Sequence, residues 1–326
     1  MQLTDSIGRN INYLRLSVTD RCNMRCFYCM PREGIVKKTH DAVLTYEELL
    51  LIAETAVGLG IEKIRVTGGE PLVRVGIVDF LSQLTGIPGL KHLALTTNGL
   101  LLSEMAVELY HAGVQRLNVS LDSLNPDTFA RITRGGDLDK VLAGLDAAEQ
   151  AGFNPPKINC VIMRGVNDSE ILAFAEMTRL RGCSVRFIEY MPVVKKEGWQ
   201  RYCISGEEIL QRIAACYELE PVDKGAFAGP SRDFRIPGAR GSIGIITAVS
   251  GHFCSDCNRI RVTSAGQAKG CLFSDESTDL VPHLRPPDRR RLAEILKVIV
   301  STKPERHGIS CDGYGHKNFT MAQVGG

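Results

Sequence analysis

Along the first 190 or so residues, short runs that alternate polar and apolar side chains are separated by longer stretches whose apolar residues recur every three or four positions. The short runs are Tyr13–Val18, Lys63–Thr67, His92–Thr97, Arg116–Leu121, Lys157–Met163 and Val185–Tyr190. A period of two predicts strands. The stretches Thr45–Gly58, Gly76–Leu84, Ser103–Ala112, Leu138–Ala151 and Ser169–Arg181 predict helices. Strands alternating with helices predict a parallel sheet with helical crossovers. Six such strands fit an open barrel or a doubly wound sheet.

The strand faces favour the barrel. One row carries Tyr13, Arg15 and Ser17, then Lys63, Arg65 and Thr67, then Arg116, Asn118 and Ser120, then Lys157 and Asn159. The opposite row carries Leu14, Leu16, Ile64, Val66, Leu117 and Val119. Parallel strands covered on both faces normally read apolar throughout. Here the helices are expected over the apolar rows, leaving the polar rows to line an interior that is wet or filled by ligand. The expected architecture is therefore α/β, an incomplete (β/α)6 barrel of the TIM type over residues 1–192. After Met191-Pro192 the rhythm changes. A helix is predicted at Ser205–Cys216, short strands at Phe234–Ile236, Ile243–Ala248 and Arg259–Thr263, and a helix within Leu284–Ser301 that Pro286 and Pro287 interrupt early. Residues 193–326 are expected to form a smaller α+β domain.

Composition narrows the function classes. The 326 residues are 44% hydrophobic and 23% charged, with 39 basic against 37 acidic residues and a net charge of +2. No bulk field marks a nucleic-acid or membrane binder. No leader pattern opens the chain, and no apolar run approaches the roughly 18 residues of a membrane span. A cytoplasmic protein with no membrane partner is expected. The eleven cysteines are then more readily ligands or reduced core residues than disulfides, and an odd number cannot all pair within the chain.

The cysteines are clustered. Cys22, Cys26 and Cys29 fall in one loop directly after the first predicted strand. Cys254 and Cys257 form a second close pair, with Cys271 after thirteen intervening residues. Cys160, Cys183, Cys203, Cys216 and Cys311 are isolated, and an isolated cysteine is ordinarily a small buried hydrophobe. Three thiolates in one loop hold three corners of a cubane iron–sulfur cluster and leave one iron open. Zinc would want four ligands, and His40 lies eleven residues past Cys29. For the second triplet a zinc ribbon is the competing reading, with His252 near the pair. Arg259 and Arg261 alternate after Cys257, and with Arg15, Arg65 and Lys157 they form a set of cations that suits a polyanion, most simply a triphosphate.

The C-x3-C-x2-C loop, with Tyr28 just before the last cysteine, resembles the radical S-adenosylmethionine (SAM) superfamily. Gly68-Gly69-Glu70-Pro71 at the end of the second predicted strand is a second mark of that family. Within it, the chain resembles the GTP 3′,8-cyclases of molybdenum-cofactor biosynthesis. The resemblance rests on Gly8-Arg9, Tyr13-Leu14-Arg15, Thr19–Cys29 with Met30-Pro31, Arg65–Pro71, Thr96–Gly99, Val119–Asp122, Phe253–Phe273, Met321 and the terminal Gly325-Gly326. It departs at Cys311 and at Asn318-Phe319-Thr320, where relatives more often carry a basic residue before the methionine.

The resemblance implies two [4Fe–4S] clusters, one on Cys22, Cys26 and Cys29 and one on Cys254, Cys257 and Cys271. It implies SAM contacts from Tyr28, Gly68, Gly69, Glu70, Ser120 and Met191. GTP contacts are implied for Arg15, Arg65, Thr96, Lys157, Arg259 and Arg261. In the implied reaction an adenosyl radical removes the ribose 3′ hydrogen and the carbon radical attacks guanine C8, giving 3′,8-cyclo-7,8-dihydro-GTP. Arg15, Arg259, Arg261, Gly325 and Gly326 are implied in the chemistry, the last two because the tail enters the active site. A flavodoxin- or ferredoxin-like reductant, a cyclic pyranopterin monophosphate synthase acting on the product, and a homodimer are implied as partners. The competing readings are a radical SAM enzyme acting on a peptide or another nucleotide, and a non-enzymatic zinc or iron–sulfur binding protein.

Overall fold

The computed structural model describes residues 2–35, 39–153, 156–191, 198–223, 229–251, 253–308 and 321–324. Six strands come first: β1 (Tyr13–Ser17), β2 (Lys63–Thr67), β3 (His92–Thr97), β4 (Arg116–Ser120), β5 (Lys157–Ile162) and β6 (Ser184–Glu189). They pair in sequence order, all parallel. Between them run α1 (Tyr46–Gly58), α2 (Ile77–Thr85), α3 (Leu102–His111), α4 (Pro126–Thr133), α5 (Leu138–Gln150) and α6 (Ile171–Leu180). Local chemistry sets the helix starts. Thr45 opens α1 with a capping box: its hydroxyl accepts from the Glu48 amide at 3.2 Å and Glu48 accepts from the Thr45 amide at 2.7 Å. Asn125 caps α4, which has proline at its start. The sequence pattern missed α4, because Asn125-Pro126 reads equally as a turn.

The apolar rows behave as expected: Leu14, Leu16, Ile64, Val66, Leu117 and Val119 are buried in the main core. Cys160 and Cys183 join them, as expected of isolated thiols. Cys203 is half-buried and Cys216, just past the next helix, is exposed, so that expectation fails there. Cys311 lies outside the described residues.

The later part contributes α7 (Gly206–Ala214), β7 (Glu220–Val222), β8 (Arg232–Arg235), β9 (Ser242–Ile246), β10 (Arg259–Val262), β11 (Gln267–Lys269), β12 (Thr278–Asp279), α8 (Arg289–Ser301) and the short α9 (Met321–Val324). Its strands join the same sheet. β9 lies parallel beside β6, and β10 parallel beside β1. Eight parallel strands result, in the order β10-β1-β2-β3-β4-β5-β6-β9, with antiparallel β11-β12 on one edge and β8-β7 on the other. Side chains from all eight line one cavity, so the sheet curls around it as an open barrel.

Candidate active site

The polar rows form the wall of that cavity. Tyr13, Arg15, Lys63, Arg65, Thr67, Arg116, Asn118, Ser120, Lys157 and Asn159 all face it, joined by Thr96, Arg186, Arg259 and Arg261. Register stacks the cations across neighbouring strands. Arg259, Tyr13 and Lys63 form one row, and Arg261, Arg15 and Arg65 the next. Adjacent strands stand only about 4.8 Å apart, so three guanidinium stems rise side by side. The Tyr13 ring lies between them, with the Lys63 ammonium 4.6 Å and the Arg65 guanidinium 5.6 Å from its centre.

Among the described residues, eight cations line the cavity: Arg15, Lys63, Arg65, Arg116, Lys157, Arg186, Arg259 and Arg261. Three carboxylates do so, Glu70, Asp122 and Glu189, and each is held by protein donors. Burial, then repulsion from neighbouring cations, pulls five of them down. Arg15 lies well below the usual guanidinium range, Arg186 and Arg261 fall to about 10, and Lys63 and Lys157 to about 7. The Nε atoms of Arg65 and Arg186, the Thr96 hydroxyl and the Asn118 amide oxygen are buried without a hydrogen-bond partner among the described residues. Such a wall is built for a polyanion carrying many acceptor oxygens.

The first cysteine loop follows β1 at the carboxyl end of the strands. The Gly68-Gly69-Glu70 segment is laced onto it: the Gly69 amide donates to Thr19 O at 2.7 Å and the Glu70 amide to Arg21 O at 2.8 Å. A Cβ on Gly69 would sit 2.4 Å from Arg21 O, and one on Gly68 2.7 Å from Thr19 O, so both positions need glycine for close approach. The end of α4 fastens the far side, with the Arg25 and Phe27 amides donating to Thr133 O and Ile132 O. Glu70 accepts from the Leu72 amide, the Thr97 hydroxyl and the Asn98 amide, and burial pushes its carboxyl up to about 7. Tyr28 donates to Asp122 at 2.7 Å. The Cys22 sulfur accepts from the Met24 amide at 3.4 Å, and Cys29 accepts from the backbone of Met321 and Ala322 in α9. Burial pushes Cys22 up to about 11, Cys29 up to about 12 and Cys26 well above the usual thiol range.

The second cysteine group lies at the other end. Cys254 and Cys257 immediately precede β10, and Cys271 follows β11, which returns antiparallel to it. Because β10 runs parallel to β1, this group sits at the amino end of the strands, while the first loop sits at the carboxyl end. A five-residue strand at about 3.3 Å per residue separates the two ends by roughly 15 Å. Burial raises Cys257, but Arg259 and Lys303 outweigh it and hold the thiol down to about 6.

Among the described residues, the cysteines facing the cavity are these two triplets and no others. No three His, Cys, Asp or Glu side chains among the described residues stand close enough to hold a single metal ion. A cubane does not ask for that convergence, since each thiolate meets its own iron. The three buried sulfurs of the first loop, with amide donors at Cys22 and Cys29, suit a cationic centre that stabilises their thiolates. Of the other sites expected from sequence, Gly68, Gly69, Glu70, Ser120, Met191 and Thr96 also line the cavity. Gly325 and Gly326 lie outside the described residues. Sequence reasoning did not assign Lys63, Arg116, Arg186 or Tyr13 to the site. The first, second and fourth were on the polar rows, whereas the row of Arg186 continues with the apolar Ile188 and does not read as a polar face.

Comparison with known proteins places the chain. The radical SAM superfamily matches residues 16–178, and the family Molybdenum Cofactor Synthesis C matches residues 183–309. The GTP 3′,8-cyclase of Geobacter sulfurreducens is 63% identical over 326 residues, covering all of both chains. The chain belongs to the GTP 3′,8-cyclase family. That of Alkaliphilus oremlandii is 45% identical over 325 residues, covering 99% of this chain and 100% of its relative. Among solved structures, Streptococcus suis SuiB bound to S-adenosylmethionine superposes with a TM-score of 0.61 at 14% identity, covering 89% of this chain and 66% of the other. That likeness supports the fold. Membership of the radical SAM superfamily implies a [4Fe–4S] cluster and SAM as cofactors. No helix among the described residues is long and apolar enough to cross a membrane.

Proposed function

We propose that this chain converts GTP to 3′,8-cyclo-7,8-dihydro-GTP, the first step of molybdenum-cofactor biosynthesis. The observation that carries the reading is one lumen with a group of three thiols at each end and register-stacked cations along the wall between. Cys22, Cys26 and Cys29 would hold the first cluster, which with SAM bound would supply one-electron reduction and radical chemistry.

The protein's own residues do the rest. Gly68 and Gly69 bring bare backbone against the cysteine loop, where Tyr28, Glu70, Ser120 and Met191 shape the SAM end. Arg15, Arg259 and Arg261 bind the triphosphate, and Lys63, Arg65, Thr96, Lys157 and Arg186 orient it. Each charge-assisted hydrogen bond contributes about 1.5–3 kcal/mol. Cys254, Cys257 and Cys271 would hold a second [4Fe–4S] cluster, which with three protein ligands would leave a coordination position for the guanine. The walls exclude water from the radical. Met321 and Ala322 lie beside Cys29, and Gly325 and Gly326, which the resemblance implies in the chemistry, follow them in the sequence. The sheet continues across residue 192, and the two functional halves meet within it: radical generation in 1–192, substrate anchoring in 193–326. A flavodoxin- or ferredoxin-like reductant, consumption of the product by cyclic pyranopterin monophosphate synthase, a homodimer and a cytoplasmic setting complete the reading.

The anaerobically reconstituted, reduced chain tests it. Release of 5′-deoxyadenosine that rises on adding GTP supports the reading, and release that ignores GTP but responds to a peptide replaces it with the peptide-modifying alternative.

A further inference from the structure

Lys303, just past α8, is 4% exposed, and its ammonium has three acceptors: Gly270 O at 2.5 Å, Arg259 O at 2.9 Å and the Cys257 sulfur at 3.4 Å. Among the described residues no carboxylate lies within ion-pairing distance of it. A buried ammonium without a carboxylate is costly unless another group that can carry negative charge answers it, and the one within reach is the Cys257 sulfur. The three acceptors belong to both ligand-bearing segments, since Gly270 precedes Cys271 and Arg259 follows Cys257. The approach is close: a Cβ on Gly270 would lie 3.4 Å from the Lys303 Cα. Arg9 braces the same region. It is buried, its Nε pairs with Asp5 at 2.5 Å, and its guanidinium donates to Cys254 O at 2.7 Å, Pro304 O at 2.8 Å and Glu305 O at 3.0 Å.

We propose that Lys303 is a positioning residue for the second cluster: it gathers the Cys257 and Cys271 segments and supplies the positive charge that sets that cluster's reduction potential. This rests on the reading of Cys254, Cys257 and Cys271 as cluster ligands. Hydrogen bonds and net charge at the sulfurs tune an iron–sulfur centre. A cation beside the ligand sulfur stabilises the reduced, more negative state, so the charge raises the potential.

The test uses the full chain with Cys22, Cys26 and Cys29 changed to alanine, so that only the second cluster contributes. In that background, Lys303→Met, Lys303→Gln and Lys303→Arg are compared for iron content, for folding before reconstitution by circular dichroism, and for midpoint potential by redox titration followed by electron paramagnetic resonance. The expected result is a normal fold in all three, with a potential in Lys303→Met and Lys303→Gln lowered by at least about 59 mV, a tenfold change in the reduced-to-oxidised ratio. Lys303→Arg restores most of it. Loss of iron in Lys303→Met with iron kept in Lys303→Arg also supports the proposal. An unchanged potential in Lys303→Met, an equal shift in Lys303→Arg, or failure of the iron-free variants to fold overturns it, the last by making Lys303 a plain structural staple. A parent background that takes up no iron removes the second cluster and this inference together. Iron in the parent with no effect of Lys303→Met sinks the inference alone.

Discussion

Arg186 is the clearest point at which binding and stability pull apart. The residue is 7% exposed, its Nε has no partner among the described residues, and its pKa is drawn down to about 10. Burial is the main cause and Arg65 adds repulsion, while Asp233 and Tyr13 act the other way. From an ordinary 12.5, and at about 1.4 kcal/mol for each tenfold, the charge costs the empty fold on the order of 3 kcal/mol. The sign follows from linkage: the folded chain binds this proton less tightly than the unfolded chain, so the cost is present below about pH 10 and fades only above it. Arg186→Met keeps an apolar stem and removes the charge. After some loss of packing, the empty chain should gain about 1–2 kcal/mol, or roughly 2–4 °C in melting temperature. GTP binding should weaken about tenfold to a hundredfold, for the loss of one charge-assisted contact of about 1.5–3 kcal/mol. Thermal melting of the iron-free chain and equilibrium dialysis of GTP on the reconstituted chain read the two effects. A variant that melts lower and binds GTP normally would refute the reasoning, because Arg186 would then be a structural cation.

Two further outcomes follow from the same wall. Lys63 and Lys157 sit near pKa 7 in the empty cavity, so a triphosphate that restores their charge must take up protons. Affinity should therefore fall as pH rises from 7 to 9, by up to about tenfold per pH unit for each lysine; calorimetry in buffers of different ionisation enthalpy measures the uptake, and flat affinity with no uptake contradicts it. At the other end of the lumen, Gly69→Ala places a Cβ 2.4 Å from Arg21 O, a backbone atom that cannot swing aside. It should destabilise the chain by about 1–3 kcal/mol and abolish SAM binding, and normal SAM retention in dialysis would show that the loop tolerates separation.

The fold was legible wherever period-two alternation was clean. The expected strands at Lys63–Thr67 and His92–Thr97 match β2 and β3 residue for residue, and the polar row that begins Tyr13, Arg15, Lys63 and Arg65 faces the cavity as alternation required. The cysteine triplets were legible because no packing rule explains three thiols so close in sequence. Long-range partnership was not. Nothing local in Ser242–Ile246 or Arg259–Val262 says that these strands run parallel beside β6 and β1, since the partners of β10 lie some 246 residues away. Lys303 was missed for the same reason: a lone lysine after a helix looks like a surface residue until the fold buries it against Cys257, and Arg9, noted in the sequence only within Gly8-Arg9, shows its part only where the fold sets it against Cys254. Arg186 was missed because its row on β6 continues with Ile188, so the strand shows no sustained polar face.

The most direct measurement places deuterium at the ribose 3′ carbon of GTP and follows it through turnover by the reduced, two-cluster chain with SAM. The expected result is one deuterium in the 5′-deoxyadenosine formed and a nucleotide product closed between ribose C3′ and guanine C8. Unlabelled 5′-deoxyadenosine with GTP recovered intact would contradict a lumen built to hold a triphosphate in front of the radical.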